Sequence, residues 1–579
     1  MPTEVFDDTQ DIVIGLLEAE LPSSTADSSY PYPRLIPVGR EEVRTFRTLI
    51  LENDFLRLTV LPDLGGRLYS IFDKRTSTEI LPSTSKLSAV PGGRRGATLP
   101  WGVELYTQGV ERLNALGPTS SAAEPAYEED SPGGIWLGES VEGTGLSFHL
   151  HYSLSPNRPE FSISAKIFNR TYTDLPYNGA LAFHVLGGVA SFDAGAVTYF
   201  SEIRSCGLWI DLGESVFDGR SLGDDLVLAR FTESRTLAPR QLDSFGVRVV
   251  PFSGLPTLGA ANAHGAATID PEAVRVQVSE IRLGHKLVVL TQDGQTLEAP
   301  VDLYPEKVLE IPAEDLPSPA MELVLLSPTK EELLRVTAHR PPLLESVLAP
   351  TSHPRTETPF EEVSEENLYR MTFDVSRRHL AYLLLARKAL TEKEYLKAEN
   401  FFEHALLYNA DDHLAWWAKA MAGRLREGPG DERPELLNAH FMAPFDPVLR
   451  AEAFLAQDQE MGKDPSPLLK SLEDTPEAFV EVAALLTELG LNDQATRWID
   501  ESLRHVDLVM LRYLQAFCFL RASRMHVEAA ECMAAANRLG FTPPLPWRDV
   551  EWLAIAALHA RFPEDEVLNR YLMLRSSGA

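Results

Sequence analysis

After Pro359 the hydrophobic period of this chain changes, and that change divides what it can fold into. Leu380, Leu383, Leu384, Ala386, Leu390, Tyr395, Ala398, Phe401, Phe402, Ala405 and Leu406 fall on the inner faces of two amphipathic helices, with a short turn at Thr391–Lys393. The same grammar recurs in FVEVAALLTELGLNDQATRWIDESL and in YLQAFCFLRASRMHVEAAECMAAANRLG. Ala495 and Ala529, each near the start of a second helix, stand 34 residues apart. Small residues at that spacing let paired helices approach closely, so residues 361–579 are expected to stack as an α-solenoid.

Upstream the period is two. In Leu51–Ile80 (LENDFLRLTVLPDLGGRLYSIFDKRTSTEI), Leu56, Leu58 and Val60 alternate with Arg57 and Thr59. Pro62, Gly65 and Gly66 interrupt the run, and Leu68–Phe72 reads as a second strand. Leu146, Phe148, Leu150 and Tyr152 alternate with Ser147, His149 and His151, and Phe161, Ile163, Ala165 and Ile167 repeat the device. Residues 41–256 are therefore expected to form antiparallel sheet. Residues 257–338 read as a smaller β unit, an immunoglobulin-like sandwich with a hairpin turn at Gln292–Gln295. Residues 1–40 read as a lead-in packed on the first domain, and the Pro-rich stretch 339–360 as a linker.

At 579 residues, a chain of about three or four domains is expected. Its formal charge of −31, without a basic block, disfavours nucleic acid or an anionic membrane as partner. Three scattered cysteines, Cys206, Cys518 and Cys532, suit buried thiols rather than a disulfide framework or zinc site. With neither a signal-like N-terminus nor a membrane-length apolar run, a cytoplasmic protein is the expectation. His149 and His151 share a strand face, but no acidic or cysteine partner stands at metal-ligand spacing. Neither a metal nor a cofactor is expected.

The Leu51–Ile80 stretch resembles the opening of the galactose-mutarotase-like (aldose 1-epimerase-like) family, which begins N..L...vlP.lGGri..l.dk. The resemblance implies an antiparallel β-supersandwich with a sugar cleft on the face of a large sheet. KIFNRTYTDLPYNGALAFHVLGG resembles the family's v.N....plP....lH.yf element and would make His184 the acid histidine; a core histidine in an apolar strand is the other reading. By position, Asp225 would be the base, with Glu233 as substitute. LPWGVELY resembles the GGvEfnwp segment of a bacterial family that joins a mutarotase-like domain to C-terminal tetratricopeptide repeats. Trp101 and Tyr106 would then stack on a sugar, and Glu104 would bind hydroxyls or act in proton transfer. Trp136–Glu139 resembles that family's WmGE, placing Glu139 among the substrate-binding candidates. Arg67 would face the cleft or be a solvated strand-end arginine.

The expected function is therefore acid–base chemistry at the anomeric carbon of a sugar, as a glycoside hydrolase or an epimerase. The alternative is a non-catalytic carbohydrate-binding or assembly protein whose tetratricopeptide-like repeats recruit a partner or a second copy.

Overall fold

The computed structural model describes residues 3–27, 29–81, 86–91, 97–99, 101–106, 120–124, 131–141, 145–177, 180–185, 188–193, 195–213, 217–221, 226–231, 235–338, 363–428, 434–455, 472, 475–522 and 526–576. Two large sheets build the N-terminal part. A ten-stranded sheet runs from Phe217–Ser221 through Leu226–Phe231, Ala180–His184 and Val103–Tyr106 to β4 (Arg67–Asp73), β3 (Leu56–Leu61), β2 (Arg34–Glu52), β1 (Glu4–Glu20) and Lys86–Leu87, with Thr78–Glu79 paired to β4 beside this path. An eight-stranded sheet orders Ser120–Glu124, Gly133–Val141, Leu146–Leu154, Phe161–Asn169, Leu242–Ser253, Cys206–Asp211, Ala196–Ser201 and Val189–Asp193. Alternation decides which side chains lie between them. Leu58, Val60, Leu68 and Val103 from the first sheet meet Leu137, Leu150, Ile163 and Val247 from the second in one buried core. The stretch after Phe200 supplies strands to both sheets.

Two four-stranded sheets between Ala260 and Thr337 form the small sandwich around Val274, Val276, Leu287, Val289 and Leu323. Twelve helices are described between Glu365 and Ser576, and none is long and apolar enough to cross a membrane. Ala495 and Ala529 are both fully buried where the second helix of each pair meets its neighbour. The chain is thus β first and α after, as the change of period requires.

The first forty residues are not a separate lead-in. β1 pairs with β2 along nearly its whole length, from Glu4↔Glu52 to Glu20↔Arg34, and joins the large sheet. The acidic, solvated outer part of this hairpin hides its period from a sequence reading. Its tip reaches the far end of the helical half: the Thr25 amide donates to the Leu574 carbonyl at 3.1 Å. Tyr30 is buried in the helical core, and its hydroxyl donates to the Pro546 carbonyl. Tyr30→Phe would strand that carbonyl, and a loss of about 1–3 kcal/mol is expected in chemical denaturation. A change within error would mean that water replaces the hydroxyl.

The helices lie on the outer face of the eight-stranded sheet. Phe168 enters the helical core and its ring meets that of His413 at 4.3 Å, while His149 meets Phe445 edge-on at 6.0 Å. Arg170 is buried between Asp446 and Glu481, and Arg548 stands 3.2 Å from the other oxygen of Glu481.

Candidate functional site

Register brings three of the candidate residues together. Gly65 and Gly66 turn the chain into β4 with φ of 73° and 66°, a conformation that favours glycine. Leu68 then pairs with Val103, and both face the core. By alternation, Arg67 and Glu104 are neighbours on the opposite face. Glu104 pairs with Ala182, so His184, two residues on, shares that face. A register shift between Thr59 and Val60 leaves Tyr69 as an extra residue in β4 and sets where Arg67 begins. Gly102 permits the close strand approach: a Cβ there would lie 2.3 Å from the Leu68 carbonyl oxygen.

The result is a connected cluster. His184 Nε2 lies 2.7 Å from Glu104 Oε1, and Arg67 Nη2 donates to Glu104 Oε2 at 2.9 Å. Arg67 Nη1 also donates to the carbonyls of Leu99 at 2.8 Å and Trp101 at 2.5 Å, and Nε to that of Leu64 at 3.2 Å. Arg67 is 1% exposed, and Glu104 and His184 are each 4% exposed. The solvated strand-end arginine is therefore excluded, because Arg67 is a buried cation matched to a carboxylate and three carbonyls. The backbone is tied as well, since the His184 amide donates to the Gly102 carbonyl at 2.9 Å.

The other candidates fall differently. Trp101 is half-buried against the apolar group of Leu61, Leu64, Tyr69 and Leu99. Its indole Nε1 is buried and has no hydrogen-bond partner among the described residues. Tyr106 closes the strand that carries Glu104, and its side chain lies outside the described residues. Asp225 and its substitute Glu233 also lie outside the described residues. Glu139 pairs with Phe148 in the eight-stranded sheet, so its strand belongs to the other sheet from the cluster; its side chain is not among those described. His149 and His151 diverge in environment. His149 turns to the helices, whereas His151 stacks on Trp136 at 4.0 Å and sits 3.1 Å from Glu124. Among the described residues no group of three or more His, Cys, Asp or Glu is placed to hold a metal ion.

Two residues near the cluster carried no functional signal in the sequence. Tyr152 is fully buried and donates to the Gly66 carbonyl at 3.0 Å, fastening the turn before Arg67. Burial pushes its phenol up and keeps it a donor. Alternation placed Tyr152 in the core but could not say what its hydroxyl would reach. Glu79 accepts from the Ser70 hydroxyl at 2.6 Å and the Ile71 amide at 3.0 Å on β4. Burial raises its carboxyl above the usual range despite those bonds.

No family model matches the chain. Among solved structures, a TPR-domain containing protein from Parabacteroides distasonis is similar over 94% of this chain and 97% of its own, at 12% identity and a TM-score of 0.39. A galactose mutarotase-like protein from Clostridium acetobutylicum is similar over 36% of this chain and 96% of its own, at 9% identity and a TM-score of 0.27. Another from Lactobacillus casei covers 35% of this chain and 100% of its own, at 10% identity and a TM-score of 0.26. Both fold types that the sequence resembles, the galactose-mutarotase-like and the tetratricopeptide, are thus among the structures to which this chain is similar.

Proposed function

We propose that the Arg67–Glu104–His184 cluster performs proton transfer at the anomeric carbon of a sugar. The observation that supports this reading is the 2.7 Å contact between His184 and Glu104 on a sheet face turned away from the sandwich core. Opening or closing a sugar ring moves one proton at the anomeric hydroxyl and one at the ring oxygen. An imidazole, with an ordinary pKa near about 6.5, can both give and take a proton near neutrality. Glu104, held by Arg67, orients that imidazole. Among the described residues the cluster brings one carboxyl group, whereas cleaving a glycosidic bond needs two about 5–10 Å apart. The geometry thus favours epimerase-type over hydrolase-type chemistry, with Asp225 as the expected partner.

The test is a thermal-shift panel of monosaccharides, disaccharides and sugar phosphates, paired with NMR of anomer exchange. On a sugar that the protein turns over, His184→Asn is expected to slow exchange by about 10²–10⁴-fold. Unchanged exchange would end the assignment. A second reading is favoured by the near-complete burial of all three side chains: the cluster welds three strands in a carbohydrate-binding or assembly protein. Under that reading, a sugar raises the melting temperature without any exchange.

A further inference from the structure

We propose that the junction between the eight-stranded sheet and the helical repeats holds a second site, which binds a small oxyanion of the phosphate class on Ser147, His149 and Lys166. In the Leu146–Leu154 strand, Phe148 and Leu150 turn to the core, so Ser147 and His149 turn out. Lys166 stands directly opposite His149 on the next strand and therefore shares its face. The helices roof part of this face with His413, Met442 and Ala443, leaving a small, partly open pocket of about 20 Å³.

Hydrogen bonding inside the junction is uneven. Arg170 is matched by Asp446 and Glu481, and His413 Nε2 meets Asp446 at 3.0 Å. The pocket groups are not matched in this way. Among the described residues no carboxylate pairs with the Lys166 ammonium, which lies 5.9 Å from the centre of the Trp136 ring. No hydrogen bond is made by the Ser147 hydroxyl or the His149 ring among the described residues. A half-buried ammonium that faces an aromatic ring at 5.9 Å rather than a counter-charge has lost part of its hydration for little in return, and an oxyanion would restore the balance. It would accept from Lys166, from the Ser147 hydroxyl and from one imidazole N–H. Burial first, then His413, Lys166 and Arg170 against Asp446, hold His149 down to about 3. His149 is thus a neutral donor at pH 7, and Lys166 supplies the charge. Exposed Asp411 also lines the pocket and limits the ligand to a single oxyanion group rather than a polyanion. Elsewhere the chain, at −31, repels anions, so attraction has to be local.

The test uses the full chain in calorimetric titration with inorganic phosphate, at ionic strength fixed with chloride. Binding is expected, weakened about tenfold or more by Lys166→Met and severalfold by Ser147→Ala, which leaves the sheet packing untouched. No binding of phosphate to the wild type, or equal binding by both variants, would overturn the site. A parallel titration with glucose 6-phosphate and with glucose separates the sources. A tighter ester identifies a phosphate carried on a sugar, and equal affinities identify the free anion; both require the same dependence on Lys166. His184→Asn, in the other sheet, is expected to leave phosphate affinity unchanged, so failure of one site is distinguishable from failure of the other.

Discussion

Arg67→Ala is expected to cost about 3–5 kcal/mol of folding stability, because it leaves the Glu104 carboxylate buried without its cation. The magnitude follows from burial: at 1% and 4% exposure, neither side chain of the pair can recover its hydration without opening the strand ends. Three carbonyls, of Leu64, Leu99 and Trp101, lose a donor in the same substitution. Adding Glu104→Gln to Arg67→Ala should recover part of the loss, since a neutral amide needs no counter-charge; a coupling of at least about 1 kcal/mol is expected. Urea denaturation of the two single variants and the double variant measures this directly. A cost below about 1 kcal/mol for Arg67→Ala would show that water reaches Glu104 and that the cluster is open rather than sealed.

The second large effect is expected at the seam between the two halves. Arg170→Met removes the cation that separates Asp446 and Glu481, leaving two buried carboxylates without it, and a cost of about 3–5 kcal/mol is expected. Asp446 also caps the Pro447–Leu455 helix, its Oδ1 accepting from the Val448 amide at 2.9 Å, so helix and seam loosen together. Burial alone would push the Asp446 carboxyl up, but Arg170 and His413 outweigh it and hold it far below the usual carboxylate range. A depressed folded pKa means that this stabilisation is complete above the unfolded value near about 3.9 and fades as the pH falls below it. Acid is therefore expected to release the helices from the sheet before the sandwich itself unfolds. Scattering and denaturation from pH 7 down to pH 2 should show one transition in the wild type splitting into two below about pH 4, with Arg170→Met already split at pH 7. A single transition throughout would mean that the apolar contacts of Phe168 and Phe445 hold the seam without the charges.

Much of this architecture is legible from local pattern. Alternation in Leu146–Leu154 and Phe161–Asn169 sets strands and their inward faces, and Ala495 and Ala529 mark where paired helices touch, because both signals live within a few residues of chain. The double glycine before Arg67 likewise marks a turn that only glycine adopts easily. Pattern failed where partners are remote. Glu104 meets Arg67 across 37 residues and His184 across 80, and the meeting depends on strand register and on one extra residue at Tyr69. A shift of one residue would have turned His184 into the core and left it the apolar-strand histidine that its neighbours Phe183 and Val185 suggest. Tyr30 lies 516 residues from Pro546, and nothing in its Ser/Pro-rich surroundings names a helical core as its destination. By itself, then, the sequence determined which segments are strand or helix and which residues face inward, because those follow from backbone period and side-chain hydrophobicity. Tertiary structure alone decided which buried charges meet and which stay unmatched, because burial makes every charge depend on a partner that the local chain does not supply.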